Sequence, residues 1–324
     1  MEKTDKILDL FKNDKDAYHS GEEISASLGI SRQALWKHIE KLRETGYAIE
    51  AVPHLGYKLL GVPDRVLAPE IKWHLNTKTL GKTVYSYEAV GSTNNIAYKL
   101  AEEGAREGTI VIAEEQTKGK GRLGRSWISP DASGIYLSCI LRPEILPNEV
   151  PAITLVAAVS AVKAIREFSG IKALIKWPND IIIADRKAGG ILTELKAEMD
   201  RVNFAVLGIG INVNTKKSNL PKGATSLKEE SKSSRDFSRV DLIRAFLEAM
   251  DREYLKFKKS GFSAIRSELK SYSCTLGRYV KIATSNGKKV QGKATDINKS
   301  GALVIKLDNG TKQLFLSGDV TLLR

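Results

Sequence analysis

The spacing of apolar and polar positions divides the chain into three stretches with different periods. Over residues 1–62, Ile7, Leu8 and Phe11 mark the inner face of a first helix. A short second helix opens at Gly21-Glu22-Glu23-Ile24-Ser25 and ends near Leu28-Gly29. Ser31 stands at the cap position of a third, SRQALWKHIEKLRETG, which stops at Gly46. Leu35, Ile39 and Leu42 share its inner face, while Arg32, Gln33, Lys37 and Lys41 fall on other faces. YAIEAVPHLGYKLL then alternates around a turn, as a small hairpin does.

The prolines and polar residues of GVPDRVLAP break this period, so 63–69 is expected to be a linker. From 70 to 271, strand and helix patterns alternate. TVYSYEAV, GTIVIAEEQ and GIYLSCILRP read as strands, with a helix from Ser92 to Glu103 between the first two. PAITLVAAVSAVKAIREF reads as a helix buried on one broad face. ALIKWPND, IIIAD, KAGGILTELKAE and FAVLGIGINV are consecutive strand-like runs, and two helices follow near 239–258 and 262–271. This alternation predicts a central α/β domain with a mixed sheet. Residues 272–324 are short strands separated by Asn-Gly, Lys-Ser-Gly and Asp-Asn-Gly turns, which predicts a small β-barrel. The whole is expected to be an α+β multidomain chain.

Composition changes this picture little. The 324 residues are 42% hydrophobic and 27% charged, ordinary values for a soluble globular protein. The net charge of +13 favours an acidic partner such as nucleic acid, a nucleotide or an acidic protein, without choosing among them. Cys139 and Cys274 form no disulfide framework or zinc spacing, and His19, His38, His54 and His74 form no metal pattern. This suits a reducing cytosol. The first residues, MEKTDKILDLFK, are charged and carry no signal peptide, and no apolar run is expected to reach the length of a membrane span.

Helix, tight turn and polar-faced helix over 1–62 form the helix-turn-helix layout, and the hairpin after it reads as a wing. Arg32 and Gln33 suit base edges, Lys37 and Lys41 suit phosphates, and Ser31 opens the reading helix. The competing reading is an accessory or dimerisation module, because residues 1–62 hold nine basic and ten acidic residues. The basic character is confined to the third helix.

Candidate chemistry lies in the middle stretch. In KGKGRLGRSW, Gly119, Gly121 and Gly124 alternate with Lys118, Lys120, Arg122 and Arg125 before Trp127 closes the run. Such a loop can wrap an anion with its amides and cations, or it can be solvated basic surface. It lacks the Gly-Lys-Ser/Thr end of a P-loop. Gly91-Ser92-Thr93-Asn94 is either a helix cap or a set of site polar groups. Gln116 is delivered to the loop by its strand. Lys176-Trp177-Pro178-Asn179-Asp180 makes a turn or edge, and Asn179 and Asp180 are hard oxygen groups suited to Mg²⁺. Lys187 enters an apolar run and needs a charge partner unless it lies at a strand edge. Asn212 and Asn214 close GIGINVN. Together the segments describe a pocket for carboxylate and phosphate with no evident protein nucleophile. Activation of a carboxylate by a nucleotide needs those groups, with catalysis by positioning and charge neutralisation.

GSTN, KGKGRLGRSW, KWPND, KAGGILTE and GIGINVN, in this order between a winged helix and a small barrel, resemble the bacterial biotin–protein ligases of the bifunctional type that also repress transcription. The resemblance covers essentially the whole chain. It implies that biotin and ATP give biotinyl-5′-AMP, and that biotin then passes to a lysine of a biotin carboxyl carrier protein or another biotin-accepting domain. It implies that Ser92, Thr93, Asn94 and Gln116 line the biotin pocket, and that Lys120, Gly121 and Arg122 hold carboxylate and phosphate. Lys176 and Lys187 would neutralise the transferring phosphoryl group, with Arg122 and Lys187 touching both substrates. Gly119, Gly124, Arg125, Trp127, Asn179 and Asn212 would serve the nucleotide, with Mg²⁺ at Asn179 and Asp180. It also implies operator DNA binding with the adenylate as co-repressor, a homodimer when liganded, an SH3-like fold for 272–324, a cytoplasmic location and no membrane. Many members have arginine where this chain has Lys120, which keeps the charge but loses the bidentate fork. Alternatives are a ligase whose winged helix does not regulate transcription, a biotin-binding transcription factor without catalysis, and a lipoate-type ligase.

Overall fold

The computed structural model describes residues 3–284, 287 and 289–323. Two compact units divide between Arg65 and Val66.

The first unit carries α1 (Lys3–Asn13), α2 (Gly21–Leu28), α3 (Arg32–Glu44) and an antiparallel hairpin of β1 (Ala48–Val52) and β2 (Gly56–Gly61). Ile7, Leu8, Phe11, Ile24, Leu35 and Ile39 are buried together, as their helical spacing requires. Gly29 ends α2, and the Ser31 hydroxyl accepts a hydrogen bond from the Ala34 amide at 3.1 Å to start α3. This is a helix-turn-helix followed by a two-stranded wing.

The second unit is built on a seven-stranded sheet in the order β3-β4-β5-β9-β8-β7-β6. It opens with α4 (Ala68–Lys72), β3 (Val84–Val90), α5 (Thr93–Glu102) and β4 (Ile110–Gln116). Because α5 crosses back over the sheet, β4 runs parallel to β3. The remaining strands, β5 (Gly134–Leu141), β6 (Leu174–Lys176), β7 (Asp180–Ile183), β8 (Arg186–Ala197) and β9 (Val202–Asn212), all pair antiparallel, so the sheet is mixed. Between β5 and β6 runs α6 (Val150–Ser169), buried along most of its length against the sheet, α8 (Arg239–Ser260) and α9 (Ser263–Tyr272). A single turn, α7 (Leu227–Glu230), precedes α8.

One expectation needs correction. The segment Pro147–Ser169 is long and apolar enough to cross a membrane by length and composition, with a mean hydropathy of 1.4. Its burial inside this unit, 72% of that window, identifies it as a core helix.

The chain ends in β10 (Tyr279–Ala283), β11 (Lys289–Ile297), β12 (Leu303–Lys306), β13 (Lys312–Phe315) and β14 (Asp319–Leu322). They form an antiparallel sheet in the order β13-β12-β11-β10-β14. Its inner residues Val280, Ile282, Ile305 and Val320 belong to the same apolar cluster as the seven-stranded sheet. The expected turn at Asn286-Gly287 involves Asn286, which lies outside the described residues, as do the first two residues of the chain.

Buried charges hold the second unit to itself. Arg239 is fully buried and donates to Glu114 Oε2 at 2.5 Å, while Glu114 Oε1 accepts from the Val66 amide at 2.6 Å. Asp251 accepts the amides of Lys78, Thr79 and Leu80. Removing one partner of a buried pair strands the other charge in a low dielectric. Glu114→Leu is therefore expected to cost about 3–5 kcal/mol; a urea midpoint equal to wild type would contradict this.

Candidate active site

The C-terminal ends of β3 and β4, the start of α5 and the middle of β8 and β9 meet over one cavity of about 120 Å³. Its floor is polar and buried. The Gln116 Oε1 atom accepts from the Thr93 amide at 2.9 Å and lies 3.1 Å from Thr93 Oγ1. The Gln116 Nε2 atom donates to Ser129 Oγ at 2.9 Å. Ser138, on the fully buried strand β5, lies 2.8 Å from Thr93 Oγ1 and 2.6 Å from Asn94 Oδ1. Asn94 Nδ2 donates to Glu194 Oε2 at 2.8 Å. Ser92 occupies the N-cap position of α5 but makes no capping bond with its side chain; it lines the cavity instead. A Cβ at Gly208 would lie 2.1 Å from Asn94 Oδ1, so only glycine leaves room for this carboxamide on β9.

The glycine-rich loop covers the floor. The Gly121 amide donates to Arg125 O at 2.6 Å and the Trp127 amide to Gly119 O at 2.8 Å, which fold the loop back on itself around a short turn at Arg122–Gly124. Trp127 lies flat on the sheet: a Cβ at Gly210 would meet its indole at 2.5 Å, and one at Gly190 would meet it at 3.3 Å. The indole Nε1 is buried and has no hydrogen-bond partner among the described residues. Lys187 Nζ lies 5.5 Å from the ring centroid.

Each cation of the site is held by an oxygen of the protein. Arg122 Nη1 donates to Asn179 Oδ1 at 2.6 Å. Lys187 pairs with Asp180 at 2.6 Å and Lys176 approaches the same carboxylate at 3.7 Å. Lys120 lies 3.3 Å from Glu194 Oε1, and Arg125 lies 2.5 Å from Asp319 at the start of β14. Burial pulls the Arg122 guanidinium below its ordinary pKa, against the neighbouring charges of Asp180 and Asp319. Burial also opposes ionisation of Asp319, but the hydrogen bond and charge of Arg125, with Lys176 and Arg122 behind it, outweigh burial and hold that carboxyl below the usual range.

Asn179 and Asp180 do not fit a preformed Mg²⁺ site. The Asn179 oxygen is taken by Arg122, and Asp180 is taken by two lysines. Among the described residues no group of three or more His, Cys, Asp or Glu could hold a metal. Two ammonium groups, and not further oxygen ligands, surround the Asp180 carboxylate in this structure.

Most of the expected site residues meet here. Ser92, Thr93, Asn94, Gln116, Lys120, Gly121, Arg122, Arg125, Trp127, Asn179, Asp180 and Lys187 all line the cavity. Four do not. Gly119 packs behind the loop, against Trp127 O and Ser129 Oγ. Gly124 lies at the exposed turn with a φ of 73°. Lys176 reaches the site only through Asp180. Asn212 is buried and donates to Thr225 O at 2.9 Å, so it anchors the segment after β9. Asn214 does the same at Phe237, donating to its carbonyl and accepting from its amide. Sequence reasoning missed Ser138 and Asp319, and gave Glu194, the last residue of KAGGILTE, no role of its own. A serine inside the apolar run IYLSCIL was the available signal for the first; nothing local marked Asp319.

In the first unit, Gln33, Lys37 and Lys41 are exposed on α3, and Arg32 is exposed but paired with Glu22 at 2.6 Å. Ser31 spends its hydroxyl on the cap. Trp36, 53% exposed on the same helix, was not foreseen as part of this surface.

Residues 87–212 match the biotin/lipoate A/B protein ligase family, residues 3–58 an HTH domain, and residues 275–323 the biotin protein ligase C-terminal domain. The chain is 39% identical over 320 residues to the bifunctional ligase/repressor BirA of Bacillus subtilis, covering 98% of this chain and 97% of that protein. It is 31% identical over 326 residues to the bifunctional ligase/repressor BirA of Escherichia coli, covering 98% and 96%. Among solved structures it resembles the biotin protein ligase from Aquifex aeolicus in complex with biotin and ATP, with a TM-score of 0.64 and 31% identity. That likeness covers 75% of this chain and 99% of the other.

The contact between Trp127 and Gly210 can be tested directly. Gly210→Ala is expected to expel the indole from the sheet and shift tryptophan emission to the red. The shift should vanish in a Gly210→Ala/Trp127→Phe double variant; emission unchanged by Gly210→Ala would refute the packing.

Proposed function

The chain belongs to the biotin protein ligase family, in the branch of bifunctional ligase/repressors, and we propose that this cavity is where its chemistry occurs. The protein is an ATP-dependent biotin ligase with an N-terminal helix-turn-helix that gives it a repressor function. The observation that carries the assignment of the site is the convergence of Lys120, Arg122 and Lys187 on one cavity whose floor is a buried network of polar side chains. Among the described residues no histidine or cysteine lines it.

In the first step a carboxylate oxygen of biotin attacks the α-phosphorus of ATP. A C–O–P mixed anhydride forms and pyrophosphate leaves. In the second step the neutral amine of the acceptor lysine attacks the biotinyl carbonyl, the C–N bond forms, the acyl C–O bond to AMP breaks, and AMP and one proton of the amine leave. The acceptor supplies the nucleophile, so the site needs only to align two anions and neutralise them. Arg122 and Lys187 are assigned to the carboxylate and the transferring phosphate. Lys120 and the Gly121 amide assist at the carboxylate, and Lys176 acts through Asp180. Ser92, Thr93, Asn94 and Gln116 are assigned to the ureido head of biotin. Trp127 and Arg125 enclose the nucleotide; Gly119 and Gly124 shape the loop that does so. Asn179 positions Arg122, and Asn212 positions the segment around Thr225.

A cavity of about 120 Å³ is smaller than the usual ligand pocket of roughly 300–1,000 Å³. Trp127 fills part of the difference. We read the loop as withdrawing to admit ligand and refolding over it, with the indole moving from Gly210 to the bound nucleotide.

The remaining assignments rest on family membership. The acceptor is a biotin carboxyl carrier protein or a similar domain, the operator is read by Arg32, Gln33, Lys37 and Lys41 with Ser31 as cap, and the liganded form is a homodimer. The C-terminal sheet is taken as an SH3-like barrel, and the site of action as the cytoplasm.

Radiolabelled biotin, ATP and an acceptor domain test the reading at once: labelled acceptor is expected, and its absence in wild type would sink the ligase assignment. Arg122→Gly should speed dissociation of the adenylate by about 100-fold, since it removes a charge-assisted contact of about 1.5–3 kcal/mol. A dissociation rate equal to wild type would contradict the role. Arg32→Ala should weaken operator retention about tenfold while leaving ligation intact; loss of ligation instead would show that Arg32 is needed for the fold.

A further inference from the structure

Ser138 is a polar side chain with no exposed surface in a strand whose every residue is buried. Such a hydroxyl needs partners, and it has two, both on residues assigned above to the ureido head of biotin. Counting hydrogens along this chain gives it a direction. Glu194 is a carboxylate and only accepts. Asn94 therefore turns its Nδ2 to Glu194 Oε2, which leaves its Oδ1 facing Ser138 Oγ at 2.6 Å. That oxygen cannot donate, so the one hydrogen of Ser138 goes to it. The 2.8 Å contact between Ser138 Oγ and Thr93 Oγ1 then needs the hydrogen of Thr93. Thr93 has no second hydrogen to give to Gln116 Oε1, 3.1 Å away. The chain ends with two oxygens, Thr93 Oγ1 and Gln116 Oε1, both with open lone pairs on residues that line the cavity.

We propose that Ser138, anchored through Asn94 by Glu194, is a positioning residue that sets the floor of the pocket as a pair of acceptors and so selects a ligand head bearing N–H donors. This rests on the assignment of the cavity to biotin, whose cyclic urea presents two N–H groups. An acid with the same tail but no N–H leaves both acceptors unpaired and pays their desolvation. In Ser138→Ala the Thr93 hydrogen is released and turns to Gln116 Oε1, which already accepts the Thr93 amide, so its open lone pair is filled and one of the two acceptors is lost. Gly208 belongs to the same device, because a side chain there would displace the Asn94 carboxamide that carries the relay.

The test compares three acids in wild type and variants: biotin as substrate, and desthiobiotin and 5-(2-thienyl)pentanoic acid as inhibitors. Desthiobiotin keeps the cyclic urea; the thienyl acid keeps the tail and lacks it. Ser138→Ala should raise KM for biotin and Ki for desthiobiotin about tenfold, the worth of one hydrogen bond near the upper end of its usual range. KM for ATP and Ki for the thienyl acid should stay within about twofold. Ser138→Thr, which keeps the hydroxyl, should restore most of the loss. A KM for biotin in Ser138→Ala within twofold of wild type would overturn the proposal, and so would an equal loss for all three acids, which marks a collapsed pocket. If Ser138→Ala does not fold, Glu194→Gln decides: a glutamine can donate, so the anchor is lost, and the same split between ureido and thienyl acids is expected. Absence of that split overturns the relay. A wild-type protein that fails to label the acceptor with biotin at all would refute the cavity assignment, a result distinct from any of these.

Discussion

The close approach of side chains to the backbone of β9 is the constraint on which the rest of the site depends. At Gly208 the strand accepts the carboxamide of Asn94, and at Gly210 it accepts the indole of Trp127. Either contact is impossible over a Cβ. Both rest on a strand that is buried on its two faces, between β5 and β8, so the backbone cannot give way. The polar floor and the covering loop are thus positioned by the least yielding element of the fold. A floor fixed in this way suits a reaction that must bind two anions and hold them in line.

Charge gives the loop its other restraint. Five cations surround the cavity, and they would repel one another if left alone. Asp180, Glu194 and Asp319 hold four of them, and Asn179 holds the fifth. The cations around the cavity are thus balanced by protein oxygens, and an anion that took the place of those oxygens would spare the cost of desolvating bare cations.

The fold was legible because its periods are clean. Helical spacing in α1 and α3 follows from burial on one side, whereas α6, expected to be buried on one broad face, is buried all round from Leu155 to Val162. The site was legible in its contiguous motifs, since glycine and cations in one loop leave few other uses. It was illegible where the chemistry depends on partners far apart in sequence. Glu194 and Asn94 are 100 residues apart, and Arg125 and Asp319 are 194 apart. No local pattern marks a carboxylate as the partner of a distant amide. The cations around Asn179-Asp180 were illegible for the same reason: the pair reads as two oxygens in isolation, and only the fold brings Arg122, Lys176 and Lys187 to them.

The lysine at position 120 also takes on a meaning that composition could not give it. Glu194 presents one oxygen to Lys120 and the other to Asn94. A guanidinium reaches for both oxygens of a carboxylate through its fork, whereas an ammonium is a point charge that holds one. An arginine here would compete with Asn94 for Oε2 and loosen the end of the relay that fixes the floor. Lysine leaves that oxygen to the carboxamide. In this chain Glu194 thus neutralises the loop with one oxygen and holds the Asn94 carboxamide with the other.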